Sequence, residues 1–181
     1  MPVQTRDRHS ADSIELTSIG KFGLLRKPRK NILSHYHTGI DIKRPNQNYV
    51  NEPVYPIAPG RVISRRDDGP YAQLIIEHQF RGMHFWTLYE HLAGILVPLN
   101  AEVSPDAPIG RFMNRDELNR YGWQFDHVHF EVLRLQPILL QPSSATPARH
   151  FSSYSLICFS QADLAKYFYD PLEFLTEKAG P

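Results

Sequence analysis

The chain has 181 residues, 20 of them basic and 19 acidic, for a formal net charge of +1. That length accommodates one domain with its own core, and the balanced charge leaves no electrostatic footprint for nucleic acid. A single cysteine, Cys158, excludes an internal disulfide framework and a cysteine-based structural zinc site, and no apolar run approaches the length of a membrane span.

Residues 1–31 are polar and read as an N-terminal extension, either mobile or lying over a groove, with one edge strand expected within 13–25. The opening MPVQTRDRHSADS has no apolar signal core. A cytosolic protein, a chain that has lost its signal, and export by another route all agree with that. The basic stretch RKPRK (26–30) reads as a solvated loop. From residue 32 short apolar runs alternate with Pro and Gly turns, the punctuation of a β-rich domain. Strands are expected at GIDIK (39–43), on both sides of the Pro-Gly turn in 54–66, and as a hairpin at YAQLIIEH (71–78) and MHFWTLYEHL (83–92). RDELNRYG (115–122) suits one or two helical turns, and FDHVHFEVLRL (125–135) the next strand. The segment 135–169 reads as an insertion. Two short helices close the chain, SQADLAKYF with Ser160 as N-cap and DPLEFLTEK with Asp170 as cap and Pro171 at its first position. The fold class is therefore mainly β with an antiparallel sheet and short C-terminal helices.

Nine histidines are distributed unevenly. His37 and Asp41 are four apart in HTGID, and on a strand they share one face. His127 and His129 also share a face, opposite Val128 and Phe130. His91 ends a strand in LYEHL. Taken singly, the first pair suits a structural hydrogen bond, the second a solvated sheet face, and a lone histidine nothing in particular. Together they supply more than the three protein ligands of an open catalytic zinc site. No HExxH is present, so the helix-borne glutamate base of that metallopeptidase class is missing.

In order, His-x-x-x-Asp, Tyr-x-His-Leu and His-x-His-Phe-Glu resemble the lysostaphin/LytM-type zinc metallopeptidases, which cleave peptides of bacterial peptidoglycan. The likeness runs through HTGIDI, PVYPIAPGRVI, LIIEH, LYEHL and HVHFEV, with DPLEFL resembling the closing segment. It implies a small antiparallel sheet of the LytM, duplicated hybrid motif type, with the site in a groove walled by loops. It implies His37, Asp41 and His129 as ligands of one zinc ion, and His91 and His127 as catalytic histidines acting on a zinc-activated water. It also implies peptidoglycan peptides as substrate and a place outside the cytoplasm, in the periplasm or at the cell exterior. His35, two residues before His37, competes for the first ligand position; the spacing to Asp41 and the adjoining Thr-Gly favour His37. Tyr36, Tyr55, Trp123 and Glu131 are candidates for the groove or for contact behind the ligands. The glycine-rich turns usual before His-x-His are replaced by 111–126, which should form a groove wall.

Residues 32–181 are expected to form the peptidase domain. Besides a hydrolase, the pattern suits a non-catalytic or self-inhibited regulator or wall-binding module on the same fold. A histidine phosphocarrier of similar barrel type is a further alternative, and Asp41 at ligand spacing speaks against it.

Overall fold

The computed structural model describes residues 1–177; Lys178, at the end of the expected DPLEFLTEK helix, lies outside them. The strands are β1 Leu25–Arg26, β2 His35–Tyr36, β3 Ile40–Lys43, β4 Pro53–Val54, β5 Gly60–Arg66, β6 Gln73–Phe80, β7 Met83–Glu90, β8 Leu92–Ala93, β9 Glu102–Val103, β10 Gly110–Phe112, β11 His127–Leu133, β12 Ile138–Leu139, β13 Phe151–Ser152 and β14 Phe168–Tyr169. The helices are α1 Arg115–Tyr121, α2 Gln161–Tyr167 and α3 Pro171–Glu177. The mainly β antiparallel class read from the sequence is what the structure has.

The central sheet runs β14-β11-β7-β6-β5-β9, and β3 also pairs with β11. β3 covers His127–Phe130 and β14 covers Val132–Leu133, so the two lie end to end along one side of β11. A smaller sheet runs β4-β10-β8. Antiparallel pairing joins every neighbour in both sheets.

Alternation decides which residues meet. Val128, Phe130 and Val132 point with Ile40, Ile42, Leu74, Ile76, Phe85 and Tyr89 into the main core, which α3 closes with Phe174 and Leu175. Burying each of these large apolar side chains stabilises the fold by about 1.5–3 kcal/mol. The opposite face divides. Toward the end of β11 it is dry, where Leu133, Leu88, Ile75 and Trp86 are covered by Cys158, Leu164 and Phe168. Those three covering residues all belong to the expected insertion or its end. Toward the start of β11 the same face carries His127 and His129. Burial pushes the Cys158 thiol up to about 11, which suits an inert side chain.

Local signals fix the helices. Asn114 Oδ1 accepts from Glu117 N and Glu117 Oε2 from Asn114 N, a reciprocal cap on α1. Ser160 and Asp163 do the same for α2. Asp170 Oδ1 accepts from Leu172 N at the start of α3.

Two expectations need refinement. The strand expected over 83–92 is interrupted at His91, whose φ is +64°. Glu90 belongs to the central sheet and Leu92 to the small one, and the left-handed residue between them turns the chain from one to the other. Residues 1–31 lie along the sheet: Leu16 bridges Ile42, Val3 bridges Val54, and Val3 is fully buried.

His78 shows how burial couples to pH. Its Nδ1–H donates to Pro59 O at 2.9 Å and its Nε2 accepts from Thr87 Oγ1 at 2.8 Å, so the neutral ring is satisfied. Burial lowers its pKa from 6.5 to about 4, and backbone hydrogen bonds offset only part of that. Between those values the unfolded chain takes up a proton that the folded chain refuses. Stability therefore falls as pH drops from about 6.5 toward 4, by about 3 kcal/mol from this group. Urea unfolding across that range should show the slope, and His78→Gln should reduce it.

Candidate metal centre and its groove

The site lies where β3 meets the start of β11. The register places His129 opposite Asp41 on one side and opposite Glu90 on the other. Gly39 permits this approach: a Cβ there would run into Phe130 O and come within 2.9 Å of His129 Cε1. The Gly of HTGID is thus a packing requirement of the His-x-His strand.

Three donor atoms converge. His37 Nε2 is 3.0 Å from Asp41 Oδ1, His129 Nδ1 is 2.9 Å from the same oxygen, and the two nitrogens are 3.1 Å apart. Their tautomers follow from the outer contacts. His37 Nδ1–H donates to Lys21 O at 2.8 Å, which leaves Nε2 with a lone pair. His129 Nε2–H donates to Glu131 Oε1 at 3.1 Å, which leaves Nδ1 facing Asp41 Oδ1 and His37 Nε2. Glu131 is fully buried and accepts also from Thr38 Oγ1 and Ser153 Oγ. Burial opposes its charge, but these donors, His129 foremost, keep it ionised with a lowered pKa. Asp41 follows the same pattern: burial raises its pKa, and the hydrogen bonds of His129 and His37 more than reverse that.

Three potential ligand atoms thus lie about 3 Å from one another, and a proton held between Asp41 and the histidines would be displaced when a cation binds. Burial opposes charge on His129, yet Asp41 and Glu131 push its pKa up to about 10, so the pocket draws positive charge. Donors on a tetrahedral zinc ion with bonds of about 2.0–2.1 Å stand about 3.3 Å apart, so these residues fit zinc after opening by a few tenths of an ångström.

The other two histidines flank this triangle. His127 Nε2 is 3.6 Å from Asp41 Oδ1. The His91 ring is 4.8 Å from that of His127 and nearly perpendicular to it. His91 Nδ1–H donates to Pro70 O at 2.6 Å, so its Nε2 is an acceptor. Burial, then the neighbouring His127, lower its pKa to about 3. Tyr71 and Phe125 pack on the His91 ring at 5.8 and 5.0 Å. Glu90 lies beside His129 and accepts from Gln73 Nε2 at 2.8 Å.

α1 and the turn Trp123–Phe125, within residues 111–126, lie beside the cluster, which Phe125 reaches by packing on His91. Arg44 fixes this segment by donating through Nε and Nη2 to Asp126 Oδ1, while Tyr49 OH donates to Asp126 Oδ2. Trp123 is about half exposed and packs on Tyr49.

The structure thus brings together His37, Asp41, His129, His127 and His91. His35 stays apart, with Nδ1–H donating to Leu33 O. Of the four accessory candidates, Glu131 is the one hydrogen-bonded to a histidine of the cluster, His129. Tyr36 packs beneath the insertion, Tyr55 beneath Arg8, and Trp123 on Tyr49. Arg26 corrects the sequence reading of 26–30 as a solvated loop: its Nη2 donates to Asp41 Oδ2 at 2.9 Å. A basic residue in a polar loop gives no sign of a partner fifteen residues away, and nothing in the local pattern marks it.

Among the described residues His37, Asp41 and His129 form a group that could hold a metal ion. The sequence profile of peptidase family M23 matches residues 35–140, and the chain belongs to that family. No curated protein matches it. Among solved structures it is similar to a zinc containing peptidase from Vibrio cholerae, at 29% identity over 72% of this chain and 35% of that one, with a TM-score of 0.48. It is also similar to lysostaphin, at 19% identity over 95% of this chain and 55% of that one, with a TM-score of 0.54. The chain therefore spans between a third and somewhat over half of those two proteins. The likeness to lysostaphin is one of fold.

Proposed function

We propose that the protein is a zinc-dependent endopeptidase that hydrolyses peptide cross-links or stem peptides of bacterial peptidoglycan. The observation that carries this reading is the convergence of three potential ligand atoms, His37 Nε2, Asp41 Oδ1 and His129 Nδ1. In this reading they hold one zinc ion, and His91 and His127 are catalytic. Membership of a peptidase family whose members act on the cell wall supports the substrate class. It also supports a working place outside the cytoplasm; no helix among the described residues is long and apolar enough to cross a membrane.

When bound, zinc supplies Lewis acidity, polarising a water and a peptide carbonyl. The chain's own residues do the rest. His91, oriented by Pro70 O and packed against Tyr71 and Phe125, and His127, on the same face as His129, between them take a proton from the attacking water and steady the oxyanion that develops on the carbonyl. Glu131 keeps His129 in the tautomer that offers Nδ1.

The test is mass spectrometry of peptidoglycan fragments after incubation with the purified protein, with a chelator and after zinc is restored. New peptide termini that vanish with chelator and return with zinc are expected. Stoichiometric zinc without new termini would instead identify a wall-binding or self-inhibited member of the family.

A further inference from the structure

The outer contacts of the donor cluster come largely from outside the stretch that matches the family profile. Lys21 O orients His37, Ser153 Oγ holds Glu131, and Arg26 Nη2 holds Asp41. Residues 20–26 are fixed against His37 and β3 by backbone hydrogen bonds: Asp41 N to Gly20 O at 2.9 Å, Gly23 N to His37 O at 2.8 Å and His37 N to Leu24 O at 2.8 Å. Arg26 itself pairs across the sheet with His35. Its guanidinium is therefore delivered to Asp41 by a segment registered to the ligand strand.

Asp41 is 5% exposed, and its two oxygens have separate partners. Oδ1 faces His37 and His129, while Oδ2 is taken by Arg26. An unrestrained carboxylate can grip a metal with both oxygens. On zinc that second bond would occupy the position an open catalytic site keeps for water. Resting on the ligand reading above, we propose that Arg26 is a positioning residue that withholds Asp41 Oδ2 from the ion and makes Asp41 a one-oxygen ligand. Arg26 suits this role because its charge is permanent and its donors are directional. Arginine at this position also cancels part of the negative charge of Asp41, which keeps a bound ion electrophilic.

Cobalt(II) in place of zinc reports coordination number directly, because four-coordinate cobalt absorbs strongly in the visible and five-coordinate cobalt weakly. The full chain loaded with cobalt should show the strong absorption. Arg26→Ala should lose it while still binding one ion, as Oδ2 joins the metal, and Arg26→Lys should recover part of it. In an Asp41→Asn background, Arg26→Ala should change nothing further. An unchanged spectrum in Arg26→Ala overturns the proposal. Failure of the unaltered protein to bind zinc or cobalt is a different result, and it removes the ligand reading itself. If Arg26→Ala does not fold, Arg26→Gln is measured in its place, with the same expected loss of the strong absorption and the same overturning result.

Discussion

His129→Ala is expected to empty the metal site and bring peptidoglycan digestion down to background. His129 Nδ1 meets both other donor atoms, and in the proposed set it is the one from β11, joining that strand to His37, just after β2, and to Asp41 on β3. Without it, two donors remain, and the Asp41 carboxylate turns to His37 and Arg26. Zinc lowers the pKa of a bound water from 15.7 to about 7, so its loss should cost at least about a thousandfold in rate at neutral pH. The fold should survive with reduced stability, because Glu131 loses its foremost partner but keeps Thr38 and Ser153 as donors, and the main core lies on the other face of the sheet. Zinc content by mass spectrometry, circular dichroism and fragment analysis measure the three parts separately. A variant that keeps one zinc and full digestion would remove His129 from the ligand set.

His91→Ala and His127→Ala should behave differently. Neither belongs to the convergent triangle. Each variant should keep its zinc and lose kcat by about 10²–10⁴-fold, the usual worth of a positioned acid or base. KM should change little. The double variant should fall short of the product of the two losses, because both histidines serve one proton-transfer sequence. Loss of zinc in His127→Ala would instead make it a fourth ligand, consistent with its Nε2 lying 3.6 Å from Asp41 Oδ1.

The parts of this site that follow a local rule could be read before any coordinates. Alternation along HVHFEV puts both histidines on one face and Val128 and Phe130 on the other, and the structure has them so. Spacing in HTGID puts His37 and Asp41 together. What could not be read depends on where distant segments come to rest. Ser153 reaches Glu131 from an insertion with no periodic pattern, and Arg26 reaches Asp41 from β1, in a stretch that reads as a polar loop. The left-handed backbone at His91 is equally silent, since LYEHL continues the alternation without a break. Periodicity shows which face a residue takes and carries no information about which loop covers it.

The split face of the sheet has a consequence for how sequence can vary along β11. His127 and His129, then Glu131, then Leu133 occupy successive positions on one face, and they pass from the histidine cluster to covered core within seven residues. Changes at one end answer to chemistry and changes at the other to folding, with Glu131 answerable to both. Substitution tolerance on this strand should therefore be graded in steps of two, and a library scored once for abundance and once for activity would separate the two ends. Glu131 would be the position where the two scores fall together.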